Sequence, residues 1–229
     1  MTDIFTEVEQ DLRHERMKKL WDRFGLYVIL AAVLVVAITA GWRGWVAWKE
    51  HQAATSGDVM LAALKTAEAG DHKKAAVELG DLAGKAGLGY QVLAKFRAAT
   101  ELAQSGDEAG AVSALDAIAA DGSVPLLYRN LAHIRAGYLV LDDGDRKAVE
   151  SRVSSLAETD NAWRQSAREL MGVAAYQAGD YAGAHKWFQA IVEDPNGPAD
   201  ATDRARIMLA LVKAAETPAA AAPKAANPS

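Results

Sequence analysis

One uncharged apolar run near the N-terminus limits what this chain can fold into more than any other feature. Residues 25–42 read GLYVILAAVLVVAITAGW, and no charged residue lies between Arg23 and Arg43. As a helix they would extend about 27 Å, close to the hydrocarbon core of a bilayer at roughly 30 Å. The alternative, a buried helix of a soluble protein, normally keeps a polar face that this run lacks. We therefore predict a transmembrane helix over residues 25–45.

Tryptophans stand on both sides of the predicted span. Trp21 precedes the apolar run, and Trp42, Trp45 and Trp48 lie at its far end. Indole rings prefer the headgroup zone, where their apolar body and polar edge are both satisfied. We expect all four to be membrane-interface anchors; contact with a partner helix is the alternative for the last three.

Basic residues are divided unevenly between the two flanks of the span. Residues 13–23 contain five Lys or Arg, whereas only Arg43 and Lys49 follow closely on the other side. The more cationic flank stays in the cytoplasm. This asymmetry predicts a cytoplasmic segment over residues 1–24, which has the pattern of a charged amphipathic helix. A solvated helix and a partner-docking helix are both consistent with it. The remainder would be periplasmic in a bacterium, held by an uncleaved anchor because the run exceeds the apolar region of a signal peptide.

The dipeptide Gly-Asp recurs at a nearly fixed period after the span. Its glycines are Gly70, Gly106, Gly144 and Gly179, in steps of 36, 38 and 35 residues. A small residue stands seven positions before each glycine, and large apolar residues stand nine and twelve after it. This register predicts stacked helix–turn–helix units. The glycine would end each first helix in a left-handed conformation, and the aspartate would cap the second.

Composition argues against several classes of function. The net charge of −5 and the lack of a Lys/Arg cluster argue against nucleic-acid binding. The chain has no cysteine, and its five histidines show no metal-ligand spacing. No arrangement of residues typical of catalysis is present. We expect no enzymatic activity, no cofactor and no metal site.

These patterns together predict an all-α protein with one N-terminal transmembrane helix followed by a helical solenoid. We expect a repeat domain over residues 46–215, with about four units and a capping helix over residues 199–215. Residues 216–229 are rich in alanine and proline and contain no large apolar residue, which predicts a disordered tail.

The repeats resemble the tetratricopeptide repeat, most closely in the fourth unit, Ala167–Pro195. That unit has the family's small residue at Gly172, the turn glycine Gly179 and the terminal proline Pro195. The resemblance implies a concave protein-binding groove formed by first-helix positions. In this chain those positions are Met60, Leu64, Phe96, Thr100, Ile134, Tyr138, Val173 and Tyr176. Their apolar character suits a hydrophobic helix or an unfolded segment. Whether the groove is open or filled by the capping helix stays unresolved at this point.

The whole arrangement resembles a further family, the YfgM-type ancillary subunits of the Sec translocon. The resemblance rests on IFTEVEQDLRHERMKKLWDRFG at the N-terminus, a span ending in AGWRGW, and the degenerate repeats. It implies an inner-membrane protein with a periplasmic repeat domain. The implied partners are the SecYEG translocon, a PpiD-type membrane-anchored chaperone and exported unfolded proteins. The alternative is a periplasmic scaffold for cell-envelope assembly or stress regulation, not tied to secretion.

Overall fold

The structure is a computed structural model that describes the backbone of residues 3–158 and 161–216. Side chains are described for Lys18 and, from Trp21 onward, for the same ranges. The apolar stripe predicted for residues 1–24 therefore lies almost wholly outside the described side chains. Apart from Glu216, the predicted disordered tail also lies outside the described residues.

The described part of the chain is entirely helical, which confirms the all-α prediction. Within residues 3–158 and 161–216 there are nine helices and no strand. They are α1 (Asp3–Glu68), α2 (His72–Lys85), α3 (Leu88–Gln104), α4 (Glu108–Ala120), α5 (Leu126–Asp142), α6 (Arg146–Glu158), α7 (Arg164–Gln177), α8 (Tyr181–Val192) and α9 (Ala199–Glu216).

The chain divides into two units, with the boundary between Thr55 and Ser56. The first unit contains the apolar run, and α1 includes residues 3–24 of the predicted cytoplasmic segment and all of the predicted span 25–45. An 18-residue window of this helix has a mean hydropathy of 2.5, and only 6% of that window is buried. By length and composition the helix is able to cross a membrane. One such helix near the N-terminus is compatible with a single-pass membrane anchor.

The four Gly-Asp dipeptides form the turns between the two helices of each repeat, α1 to α2, α3 to α4, α5 to α6 and α7 to α8. The φ angles of Gly70, Gly106, Gly144 and Gly179 are 87°, 84°, 72° and 75°, so all four have the left-handed conformation. Only glycine adopts it at little cost. The aspartate of each dipeptide accepts a hydrogen bond from a backbone N–H in the first turn of the next helix, as in Asp107 Oδ1 to Gly110 N at 2.9 Å. The predicted turn and cap are both confirmed.

The core of the second unit consists of four hydrophobic clusters in chain order. The first joins α1, α2 and α3, and the second joins α3, α4 and α5. The third is formed mainly by α5, α6 and α7, and the fourth by α7, α8 and α9. Each of α3, α5 and α7 contributes buried side chains to two consecutive clusters. This is the nearest-neighbour packing expected of a helical repeat array.

Ion pairs also join the second helices of consecutive repeats. Arg152 of α6 contacts Asp116 of α4 through Nε and Nη2, at 3.0 and 2.7 Å. Arg146 of α6 donates to Asp180, the cap of α8, at 2.8 Å. These contacts connect α4, α6 and α8 along one side of the array.

Asp194, two residues after the end of α8, is the centre of a second polar cluster. Its carboxylate accepts hydrogen bonds from Arg164 at 2.6 and 3.1 Å, from Gln165 at 2.7 Å and from Arg168 at 3.0 Å. Hydrogen bonding to Arg164 is the main reason that the pKa of Asp194 lies well below its usual range. The cluster holds the end of α8 against the start of α7.

Candidate protein-binding groove

A groove of about 870 Å³ lies between the C-terminal part of α1, α3 and the first half of α5. We call it the α1–α3–α5 groove. Most of its surface is apolar, and several of its large side chains, such as Leu93 and Leu88, are about half exposed. It is lined by Met60, Leu64, Leu88, Gly89, Val92, Leu93, Phe96, Arg97, Thr100, Pro125, Tyr128, Leu131 and Arg135. Exposed apolar surface concentrated in a concavity is typical of a binding site.

Four of the predicted groove residues lie together in this groove. Met60 and Leu64 come from α1, and Phe96 and Thr100 come from α3. Met60 and Phe96 are largely buried beneath its surface, so they support the groove more than they present themselves to a ligand. Thr100 hydroxyl donates to the Phe96 carbonyl at 3.1 Å, which satisfies it within its own helix.

A fifth predicted residue, Tyr138, lies in a smaller cavity of about 190 Å³ between α3, α4 and α5. Thr100 lines both the groove and this cavity. Tyr138 is about half exposed, and partial burial raises the pKa of its hydroxyl, with a further rise from Glu169 nearby. It presents an apolar ring to the cavity and remains a neutral hydrogen-bonding group at physiological pH.

The three other predicted residues lie elsewhere. Ile134 is only 3% exposed and belongs to the third core cluster. Val173 and Tyr176 pack against the fourth cluster, which contains Ala201, Ala205 and Val212 of α9. The capping helix thus packs over the α7–α8 end of the array. It contributes no residue to the α1–α3–α5 groove.

Among the described residues that line the groove, two arginines are the only ionisable ones apart from Tyr128, and neither was among the predicted groove residues. The Arg135 guanidinium lies 5.2 Å from the centroid of the Phe96 ring, a cation–π arrangement. Arg97 Nε lies 2.6 Å from Glu101 Oε1. The sequence could have indicated these two residues, because both arginines stand nine residues before a turn glycine.

Glu101, beside the groove, is a fully buried carboxylate with two partners. Besides Arg97, His72 Nδ1 at the start of α2 lies 2.7 Å from its other oxygen, Oε2. A buried carboxylate needs such partners, since an isolated charge in the interior is very costly. The cluster joins α2 to α3 behind the groove.

The predicted membrane-interface tryptophans are all exposed on α1. Trp21, Trp42, Trp45 and Trp48 each have more than half of their surface accessible. The rings of Trp45 and Trp48 are 5.8 Å apart between centroids, and Lys49 Nζ lies 5.1 Å from the Trp45 ring. An exposed cluster of indole rings with a neighbouring cation is what a membrane interface accommodates.

Metal binding has no visible basis in the described residues. Nowhere in the part of the chain that the structure describes do three His, Asp or Glu side chains come close enough to hold an ion.

An array of paired helices with glycine turns at a period near 36 residues, a capping helix and an apolar groove defines a helical-repeat protein of the interaction-scaffold class. A family model for the tetratricopeptide repeat-like domain matches residues 18–225. The chain therefore belongs to the tetratricopeptide repeat-like domain family. No curated protein and no solved structure matches it.

Proposed function

We propose that this protein is a membrane-anchored interaction module whose α1–α3–α5 groove binds an apolar segment of another polypeptide. The observation that carries the proposal is the groove itself, about 870 Å³ of mostly apolar concave surface with half-exposed leucines at its rim. Burial of such side chains by a ligand is favourable, at about 25 cal/mol per Å² of apolar surface removed from water. Repeat domains of this family typically act as binding scaffolds, which supports a binding role over catalysis.

The proposal also covers the location of the protein in the cell and its binding partners. The cationic flank of the span supports a cytoplasmic N-terminus and a periplasmic repeat domain in a bacterial inner membrane. The resemblance to YfgM-type subunits supports a role at the SecYEG translocon, assisting exported unfolded proteins together with a PpiD-type chaperone. A scaffold for envelope assembly or stress regulation would use the same groove with other partners.

Crosslinking from single cysteines tests the groove directly, because the natural chain has none. In one sample, a photoreactive maleimide is attached to the cysteine of the Leu93→Cys variant, which lies in the groove. The matched control is Val77→Cys on α2, which is similarly exposed but lines neither the groove nor the smaller cavity. We expect Leu93→Cys to give discrete adducts with a translocon subunit, a chaperone or an exported chain, and Val77→Cys to give none. Equal adducts from both positions, or none from Leu93→Cys, would contradict a binding groove. Adducts only with envelope-assembly proteins would favour the scaffold.

The same approach tests the proposed topology. Thr6→Cys lies in the segment proposed as cytoplasmic, and Gly122→Cys lies in an exposed turn of the repeat domain. A membrane-impermeant maleimide added to spheroplasts should label only Gly122→Cys, and lysis should expose Thr6→Cys. The opposite labelling order would reverse the topology.

Proximity to the translocon is tested from the exposed tryptophans. A photoreactive residue in place of Trp45 should crosslink to a membrane span of SecYEG or of the chaperone. Recovery of neither would contradict the secretory role while leaving the groove experiment unaffected.

A further inference from the structure

The two arginines of the α1–α3–α5 groove occupy equivalent positions in consecutive repeats. Arg97 stands nine residues before Gly106, and Arg135 stands nine residues before Gly144. Within the part of the chain that the structure describes, no other side chain that lines the groove is charged at neutral pH. Any recognition of ligand charge in the groove therefore depends on these two side chains.

The charge of Arg97 is compensated inside the domain. Its Nε lies 2.6 Å from Oε1 of Glu101, four residues further along α3, and the Glu101 side chain is fully buried. A guanidinium at this distance from a buried carboxylate is already paired, so it has little charge to offer a ligand.

Arg135 differs from Arg97 in this respect. The residue four positions further along its helix is Leu139, where α3 has Glu101. No carboxylate among the described residues forms an ion pair with Arg135, and its guanidinium lies over the face of the Phe96 ring. The cation–π contact positions the guanidinium without neutralising it. The N–H groups at its edge remain available to an acceptor.

The position of Arg135 is as informative as its charge. It lines both the groove of about 870 Å³ and the smaller cavity of about 190 Å³. Tyr138 and Leu139 form part of the smaller cavity and make it apolar. One uncompensated cation thus stands between two apolar concavities on the same surface.

We propose that this surface binds a segment of another protein in which an acidic residue lies between two large apolar side chains. The apolar side chains fill the two concavities, and the carboxylate accepts hydrogen bonds from Arg135. This inference rests on the proposed function and specifies the chemistry of its ligand. The chain's own residues 217–229, TPAAAAPKAANPS, contain neither a large apolar nor an acidic side chain, so they do not match this ligand.

The test measures binding of a defined peptide series to the full-length protein in detergent micelles. Each fluorescein-labelled, terminally blocked peptide has two leucines separated by two to six residues, with Glu, Gln or Lys between them. At the best spacing, fluorescence anisotropy should show about tenfold tighter binding of the Glu peptide than of the Gln peptide, as expected for one charge-assisted hydrogen-bonded pair. Arg135→Gln should reduce that ratio to about one, and Arg135→Glu should make the Lys peptide the preferred ligand.

The control is Arg206→Gln, which removes an exposed arginine of α9 that lines neither cavity. It should keep the tenfold preference. Equal affinity of the wild-type protein for Glu and Gln peptides, or a preference that persists in Arg135→Gln, would overturn the assignment of Arg135 but leave an apolar groove in place. Failure of every peptide to bind, whatever its central residue, would instead count against the groove and against this inference together.

Discussion

Arg204 of α9 holds Glu169 of α7 through two parallel hydrogen bonds, from Nε to Oε1 and from Nη2 to Oε2, each 3.0 Å long. Its remaining nitrogen, Nη1, donates to Asp200 of α9 at 2.9 Å. The capping helix is thus joined directly to α7 as well as packed on α8. This contact and the apolar packing of the fourth cluster keep α9 at the end of the array, away from the α1–α3–α5 groove.

We expect Arg204→Gln to lower the free energy of unfolding by no more than about 1 kcal/mol. Arg204 is half exposed, so solvent screens the pair and much of its Coulomb energy is lost. Urea unfolding of the full chain in detergent, followed by circular dichroism, measures the change. A double-mutant cycle with Glu169→Gln should give a coupling energy that shrinks in about 0.5 M salt, where the Debye length is only a few Å. Strict additivity of the two changes would show that the pair contributes nothing.

Asp194 should make the stability of the domain depend on pH in the acid range. Its pKa in the folded protein lies below the ordinary value of about 3.9, chiefly through hydrogen bonding to Arg164. The ionised Asp194 carboxylate therefore makes its full contribution to the free energy of unfolding above its unfolded-state pKa. That contribution is lost as the pH falls through its folded-state pKa. Asp194→Asn should destabilise the protein by about 2 kcal/mol near pH 7, less than for a fully buried pair because both arginines keep some solvent contact.

The difference in stability between wild type and Asp194→Asn should narrow as the pH falls below about 4. Thermal melting at a series of pH values provides the measurement. Asp203→Asn, at an exposed ion pair on α9, serves as the control and should produce no comparable change. A constant difference across the whole pH range would assign the effect to packing and not to the carboxylate charge.

Replacement of a turn glycine should cost stability through backbone conformation alone. A Cβ at position 106 would meet no atom within 4 Å, but φ is +84°, which side chains disfavour. We expect Gly106→Ala to lower the free energy of unfolding by about 1 kcal/mol, and Gly106→Asn by less, since asparagine tolerates the left-handed region. Gly122→Ala, where the added Cβ also meets nothing and φ is not in the left-handed region, is the control. Equal melting temperatures for Gly106→Ala and wild type would contradict the argument.

Substitution of Gly172 in α7 should also lower stability, but here the reason is steric contact. A Cβ there would lie 2.8 Å from Cζ and 2.9 Å from Cε1 of Phe188, which is fully buried in α8. We expect Gly172→Ala to destabilise the protein by about 2 kcal/mol because the ring has no space to move aside. Addition of Phe188→Leu should restore part of the loss, and urea unfolding of the single and double variants measures both. Gly80→Ala, on the exposed side of α2, should be neutral or slightly stabilising.

Much of the fold could be predicted because its signals are local in sequence. Gly106 and Asp107 determine a turn and a cap within a few residues of themselves, and the structure has both. The apolar run likewise specifies a long helix without reference to any other part of the chain. Local patterns of this kind depend on backbone geometry and hydropathy, which the sequence displays directly.

The candidate site was harder to predict, because exposure at a given repeat position depends on what neighbouring helices place against it. Phe96 and Ile134 stand at equivalent positions and both are buried, yet only Phe96 borders the groove, whereas Ile134 lies in the third cluster. His72, the second partner of Glu101, and the arginine partners of Asp194 lie on other helices, so these contacts could not be predicted from spacing along one helix. The difference between Arg97 and Arg135, by contrast, is visible in the sequence, because Glu101 stands four residues after the first and Leu139 four residues after the second.

The division of the core into four linked clusters has a consequence for how the domain opens. Because α3, α5 and α7 each belong to two clusters, loss of order at one end removes support from only the adjoining cluster. Amide hydrogen exchange should therefore form a gradient along the array and not a single global rate. A ligand in the α1–α3–α5 groove would slow exchange in α3 and the first half of α5, and in α2 and α4 through the clusters they share, while the amides of α8 and α9 kept their free-state rates. Exchange rates measured for individual amides would then show whether the groove is occupied, because protection by the ligand would stop at a definite position along the chain.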